Sequence, residues 1–271
     1  MAVKIGIDAG HGLKTAGKRT PDGIREWTLN DKVRDKVVSI LADYDCEIVH
    51  TDNNEGNIDE TLAERVAKYK KAGVKAFVSI HHNAYQSKWG NHTGVEVFTD
   101  RGPTAKDKEL AKCIYSRLVK YTGLKGRGIK EYNFWVINQD TIPAVLVEGG
   151  FMDSRIDYKV ITSDEGQTAY ARAVAEGLIE FLNLKKKAET KPQPQPKPSK
   201  PIEKPKGVKY FAKYTGESVS IVDALDSIGA KTDFAYRKKI ANANSIKTYI
   251  GTAAQNTKLL DLLKKGKLIK P

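Results

Sequence analysis

The stretch from 185 to 206, KKKAETKPQPQPKPSKPIEKPK, carries six of the ten prolines of the 271-residue chain and almost no apolar side chain. Proline lacks the amide N–H that helices and inner strands need, and a run without apolar side chains has nothing to bury. Such a segment is expected to form an extended, polyproline-like spacer. Apolar periodicity resumes after it, so the spacer divides the chain rather than ending it. The expected parts are a first domain over residues 1–184, a linker over 185–207 and a small module over 208–271. The first is long enough for a sizeable core; the last is viable alone only marginally.

Charge follows the same division. The net charge is +13, yet residues 1–184 balance 26 Lys and Arg against 26 Asp and Glu. The linker contributes an excess of six positive charges and the module an excess of seven. A neutral first domain without a recognised nucleic-acid motif argues against a nucleic-acid binder. The basic tail directs attention to an anionic surface or an acidic polymer. No apolar run approaches the roughly 20 residues of a membrane span, so membrane insertion is not expected. The N-terminal Met-Ala-Val-Lys-Ile-Gly-Ile-Asp lacks a basic region followed by a long apolar stretch, so cytoplasmic synthesis without a signal peptide is expected. Cys46 and Cys113 are too few for a disulfide framework and read as free thiols in apolar surroundings.

Within residues 1–184, β-prone runs alternate with helical periodicity. Strands are expected at Val3–Asp8, Cys46–His50, Ala76–Ile80, Val95–Phe98 and Ala144–Val147. Helices are expected at Glu26–Leu41, Thr61–Lys71, Ala105–Tyr121 and Gln167–Leu182. This order implies an α/β domain, a mostly parallel sheet covered by helices on both faces. The tail offers a strand at Lys209–Tyr214 and helices at Ser220–Ile228, Phe234–Asn244 and Thr252–Leu263, a small helix-rich α+β module.

Four strings fall at expected strand ends or helix starts, where open α/β sheets place their ligands. They are Asp8-Ala-Gly-His-Gly12, Arg25-Glu26-Trp27, Ser79-Ile-His-His-Asn-Ala84 and Val147-Glu-Gly-Gly-Phe151. Together they supply histidines and glutamates from separate segments, the donor types of a catalytic zinc site with a further carboxylate for proton transfer. Singly, each has a plainer explanation. His11 could be a solvated loop residue, and Glu26 a first-turn acid facing the helix dipole. His81 and His82 are neighbours that point to opposite sides of an extended strand, so spacing does not choose between them. Glu148 follows an apolar run, where an unpaired carboxylate is costly.

The strings run in order through residues 3–182. With them run Leu62 and Arg65, Gly94-Val-Glu-Val, Arg127-Gly-Ile-Lys, the Pro143-Ala-Val-Leu-Val-Glu-Gly-Gly-Phe segment and a closing Ala-x-Ala-Val-Ala-x-Gly-Leu helix. The whole resembles the zinc-dependent N-acetylmuramoyl-L-alanine amidases of the type-3 family. Carried over by position, the resemblance implies one zinc ion held by His11, Glu26 and His81, with Glu148 as the catalytic base. It implies cleavage of the amide between the lactyl group of muramic acid and L-alanine in peptidoglycan, with Asn83 as a supporting substrate contact. It selects His81 because that residue directly follows Ser-Ile. His82 stands where the family usually has a small residue, and Asp153-Ser154 where it has an asparagine after Gly-Phe. His50 and His92 match nothing and read as structural or surface residues.

The module strings Ser218-Val-Ser-Ile-Val-Asp-Ala-Leu, Tyr236-Arg-Lys-Lys-Ile-Ala and Gly251-Thr-Ala-Ala-Gln-Asn-Thr-Lys-Leu-Leu-Asp-Leu-Leu resemble the C-terminal wall-binding modules of endolysins from phages of bacilli. That resemblance implies an anionic secondary wall polymer or teichoic acid as partner of residues 208–271. The organisation expected is a phage endolysin working as a monomer. A host autolysin or a sporulation mother-cell amidase would share the chemistry, and a non-catalytic wall-binding protein is a more distant alternative.

Overall fold

The computed structural model describes residues 2–138, 141–187 and 209–271, except 217, 219, 247, 248, 250 and 252. From residue 188 onward the expected linker lies outside the described residues. The chain falls into two compact units divided between Lys187 and Ala188. Among the described residues no helix is long and apolar enough to cross a membrane.

In the first unit six strands, β1 (Val3–Ala9), β2 (Cys46–His50), β3 (Ala76–Asn83), β4 (Val95–Thr99), β5 (Gly126–Glu131) and β6 (Ala144–Phe151), form one sheet ordered β2-β1-β3-β6-β4-β5. The first four in that order are mutually parallel; β4 runs antiparallel to β6, and β5 parallel to β4. The helices are α1 (Glu26–Leu41), α2 (Leu62–Ala72), α3 (Ala105–Thr122), the short α4 (Tyr158–Thr162) and α5 (Asp164–Phe181).

Alternation along the strands sorts side chains between two cores. Ile5, Ile7, Val78, Ile80, Val145 and Val147 pack against Val33, Val37 and Leu41 of α1, Leu110, Ile114 and Leu118 of α3, and Val174 and Leu178 of α5. Phe77, Ala144 and Leu146 pack with Val66 and Tyr69 of α2 and with Val136 and Ile137. Helices therefore cover both faces, and the inner strands are buried on both sides, which is why their sequences read as nearly continuous apolar runs. Thr61 caps α2 in a reciprocal capping box with Glu64, and Gly73 ends that helix in the left-handed conformation.

Three expectations are revised. Gly126–Glu131 was not anticipated as a strand because its Gly-Arg-Gly-Ile-Lys-Glu sequence is mostly polar; it sits at the sheet edge, where a charged, half-exposed strand is tolerated. The first unit continues past residue 184: Leu184 joins the core, Asp45 N–H donates to the Lys185 carbonyl (2.9 Å) and Lys187 N–H to that of Asp43 (2.8 Å). The strand expected at Lys209–Tyr214 reduces to one antiparallel bridge, Tyr210 to Ile269. Both cysteines are free and half-buried.

The second unit contains α6 (Ile221–Ser227), α7 (Phe234–Ala243) and α8 (Ala253–Lys264). Ile221, Leu225, Ile240, Tyr249, Leu259, Leu263 and Leu268 form its core. Ser220 and Asp233 cap α6 and α7 by accepting the backbone N–H groups of Asp223 and Tyr236.

Candidate metal centre

The parallel register of β1, β3 and β6 brings three of the sequence strings to one edge of the sheet. His81 pairs with Glu148 across β3 and β6, and His11 follows the end of β1. Glu26, the first residue of α1, comes up beside them and is almost fully buried at 2% exposure. A first-turn acid that only complements a helix dipole would stay in water, so the burial already separates Glu26 from that explanation.

His11, Glu26 and His81 form a cluster whose donor atoms lie within 4.8 Å of one another. Glu26 Oε2 is 3.3 Å from His11 Nε2, and Glu26 Oε1 is 3.1 Å from His81 Nδ1. The two imidazoles meet edge to face at 4.9 Å. Burial pushes the Glu26 carboxyl upward, but its bonds to His11 and His81 outweigh that and hold it well below the usual carboxylate range. Burial lowers His81, against the opposing pull of Glu26.

Close backbone approach makes this packing possible. A Cβ on Gly10 would come within 2.1 Å of the His81 ring, so only glycine fits. His11 itself has φ 67°, a left-handed conformation uncommon outside glycine. Arg65 of α2 holds this turn. Its guanidinium donates to the carbonyls of Ala9 (3.0 Å) and His11 (2.8 Å) and to Asp8 Oδ2 (3.0 Å). Asn30, one turn after Glu26, donates to the Gly10 carbonyl (3.1 Å), and its Oδ1 accepts from His82 Nδ1 at 2.7 Å.

His82 thus turns to Asn30 and to the Tyr170 ring, 5.5 Å away, while its backbone N–H donates to Glu26 Oε1 at 3.2 Å. Burial lowers its pKa to about 4, so it is a neutral structural group beside the cluster. Asn83 lines a recess that His11, Glu26 and His81 also line, with its side-chain oxygen taken by the Ala84 N–H at 2.8 Å. His50 and His92 lie outside the cluster, His92 bonded to Asp153 at 2.7 Å.

Glu148 lies in a recess of about 320 Å³ with His11, Glu26, His81, Lys18 and Ser87. Its Oε2 is buried and has no hydrogen-bond partner. Burial, then the charges of Glu26 and Glu96, raise its pKa well above the ordinary value. Glu96 faces it across the antiparallel β4–β6 pair and is itself neutralised by Arg127 and Lys130. An orphaned carboxylate beside two imidazoles and a second carboxylate fits a site completed by a cation.

The four groups that the sequence singled out lie together in the fold, but the residues that support them were not singled out. Arg65 was visible only as part of a string, and Asn30 gave no signal beyond standing one helical turn from Glu26.

Two imidazoles and a carboxylate with a spare carboxylate alongside, at the carboxyl ends of the strands of a mostly parallel sheet, are the donor types that a metal-assisted hydrolase uses. The particular family follows from comparison, since residues 5–180 match the family described as N-acetylmuramoyl-L-alanine amidase, and the chain belongs to it. It is 34% identical over 191 residues to the endolysin of Bacillus phage SPP1, covering 69% of each. It is 29% identical over 184 residues to the sporulation-specific N-acetylmuramoyl-L-alanine amidase of Bacillus subtilis, covering 68% of this chain and 70% of that one. The catalytic domain of CwlV, an N-acetylmuramoyl-L-alanine amidase from Bacillus (Paenibacillus) polymyxa, superposes with a TM-score of 0.62 at 31% identity, over 68% of this chain and 99% of that one. The protein is therefore an enzyme, an amidase acting on peptidoglycan.

Proposed function

We propose that the chain is an endolysin in which the first domain hydrolyses the amide between muramic acid and L-alanine at a zinc site, and residues 208–271 hold it to the wall. The observation that carries this is the His11–Glu26–His81 cluster beside the unpartnered Glu148 oxygen. His11, Glu26 and His81 would hold the zinc ion. When bound, zinc polarises a carbonyl and lowers the pKa of water to about 7.

The chain's own residues supply the rest. Glu148, with its raised pKa, accepts the proton of the attacking water and returns it to the departing alanine nitrogen. Arg65 and Asn30 fix the Gly10–His11 turn, so the donors are arranged before substrate arrives. The linker follows Lys187, and the basic module of residues 208–271, with seven excess positive charges, is suited to an anionic secondary wall polymer or teichoic acid. Synthesis in the cytoplasm, release to the wall and action as a monomer complete the reading. The SPP1 endolysin supports phage origin, while the similarity to the sporulation-specific amidase keeps a mother-cell enzyme as the second reading.

The test is mass spectrometry of Bacillus-type walls digested with and without a chelator. Stem peptides with free N-terminal alanine, lost with chelator and restored by zinc, are expected. Intact linkages under all conditions would leave a wall-binding protein without turnover.

A further inference from the structure

Beside the recess that contains Glu148, residues 84–92 form a loop built around one buried carboxylate. Asp153, fully buried, accepts the backbone N–H groups of Tyr85 (2.9 Å), Gln86 (2.9 Å) and Ser87 (2.8 Å) as well as His92 Nε2 (2.7 Å). Burial pulls this carboxyl upward, but His92 and the three amides outweigh it and keep it ionised. Gly90 N–H donates to the Asp153 carbonyl and Arg155 N–H to that of Gly90, both at 2.9 Å, so the far end of the loop is tied as well. Three successive amides closing on one anion make a rigid nest.

What the nest presents is Tyr85. The residue is 68% exposed, although the loop beneath it is pinned at both ends. Its ring leans on His92 at 5.4 Å, and His92 in turn meets the Phe151 ring edge to face at 5.0 Å. Ala84 and Ser87, on either side of it in sequence, line the recess of Glu148 and His81. A large aromatic held in water by a preorganised loop costs hydration free energy that a stacked partner would recover. The substrate of this enzyme class carries a sugar ring directly on the acyl side of the scissile amide, and the apolar C–H faces of a pyranose suit an aromatic ring.

We propose that Tyr85 is a substrate-binding platform on which a sugar ring of the glycan strand stacks, held at the rim of the metal centre by the Asp153–His92 nest. This rests on the amidase reading of the site. It makes Tyr85 a determinant of glycan-bearing over glycan-free substrate.

The experiment uses the full chain and two soluble substrates: a disaccharide tetrapeptide, and the lactoyl tetrapeptide obtained from it by β-elimination, which keeps the scissile amide and has no sugar. The wild-type protein is expected to favour the first by about tenfold in kcat/KM, through KM, the scale of one aromatic stacking contact. Tyr85→Ala should abolish that preference, and Tyr85→Trp should retain it. Calorimetry of the disaccharide tetrapeptide with Glu148→Gln protein reads the platform without turnover, and adding Tyr85→Ala should weaken Kd about tenfold. A preference that survives in Tyr85→Ala, or an equal Kd with and without it, overturns the platform. Absence of turnover by wild-type protein on both substrates instead overturns the amidase reading, while the calorimetric comparison still decides the platform.

Discussion

Burial and the neighbouring Glu26 charge press Glu148 toward its neutral form, so in the metal-free fold the side chain costs stability wherever it ionises. The sign follows from the raised pKa: its contribution is fully present below the ordinary carboxylate value and is lost as pH rises. Glu148→Gln should therefore keep or raise the Tm of the metal-free protein at pH 7, with the advantage gone near pH 4. The same variant should lose amide hydrolysis by about 10²- to 10⁴-fold. Calorimetric melts at the two pH values, with muropeptide digestion in parallel, check both halves. A fall in Tm at pH 7 would mean that the ionised carboxylate has a partner that stabilises it. Arg65 acts at the same scale through His11. Arg65→Lys keeps the charge but loses the fork that spans two carbonyls and a carboxylate. Zinc affinity, measured by competition with a chromophoric chelator, should fall by about tenfold or more. Unchanged affinity would reduce Arg65 to a purely structural pairing with Asp8.

At the scale of elements, what the sequence made legible tracks what was buried. Helix α1 was readable end to end because Leu29, Val33, Val37 and Leu41 lie on one buried stripe, and β1, β3 and β6 because inner strands are apolar on both faces. Strand β5 and helix α4 were not, since one is an exposed polar edge and the other only five residues long. The loop around Asp153 was invisible for a different reason. Its order comes from backbone amides closing on a carboxylate more than sixty residues away, a contact that no local pattern encodes. Spacing likewise left His81 and His82 undivided; they separate only where Asn30 and Tyr170 claim His82.

Strand β2 supports a pH prediction of its own. His50 ends it with a buried Nδ1 that has no hydrogen-bond partner, and burial, then the Arg34 charge, lower its pKa to about 4. A depressed histidine contributes stability that is present above its ordinary pKa of about 6.5 and lost as pH falls through 4. Between pH 7 and pH 4 the wild-type protein should lose about 3 kcal/mol more stability than His50→Gln. Urea unfolding of both at the two pH values measures the difference, and parallel losses would show that His50 does not titrate in this window.

For the whole molecule, the relevant division is between a unit that is chemically complete and one that is strongly basic. All four groups of the site come from residues 11–148, and the backbone bonds of Lys185 and Lys187 to Asp45 and Asp43 close that unit. A chain ending at Lys187 should therefore keep its fold and hydrolyse the soluble disaccharide tetrapeptide with kcat/KM within about twofold of the full chain. Ending it before Leu184 would strip a core residue and those two bonds, so the boundary matters to the outcome. Wall attachment should respond in the opposite way. Residues 208–271 carry seven excess positive charges, and exposed charges attract an anionic polymer over about a Debye length, near 10 Å at 0.1 M salt. Full-length protein should co-sediment with purified walls at low salt and be released progressively as salt rises, while the chain ending at Lys187 stays in the supernatant throughout. If the shortened chain sedimented as fully as the complete one, attachment would belong to the amidase unit, and the basic module would need another role.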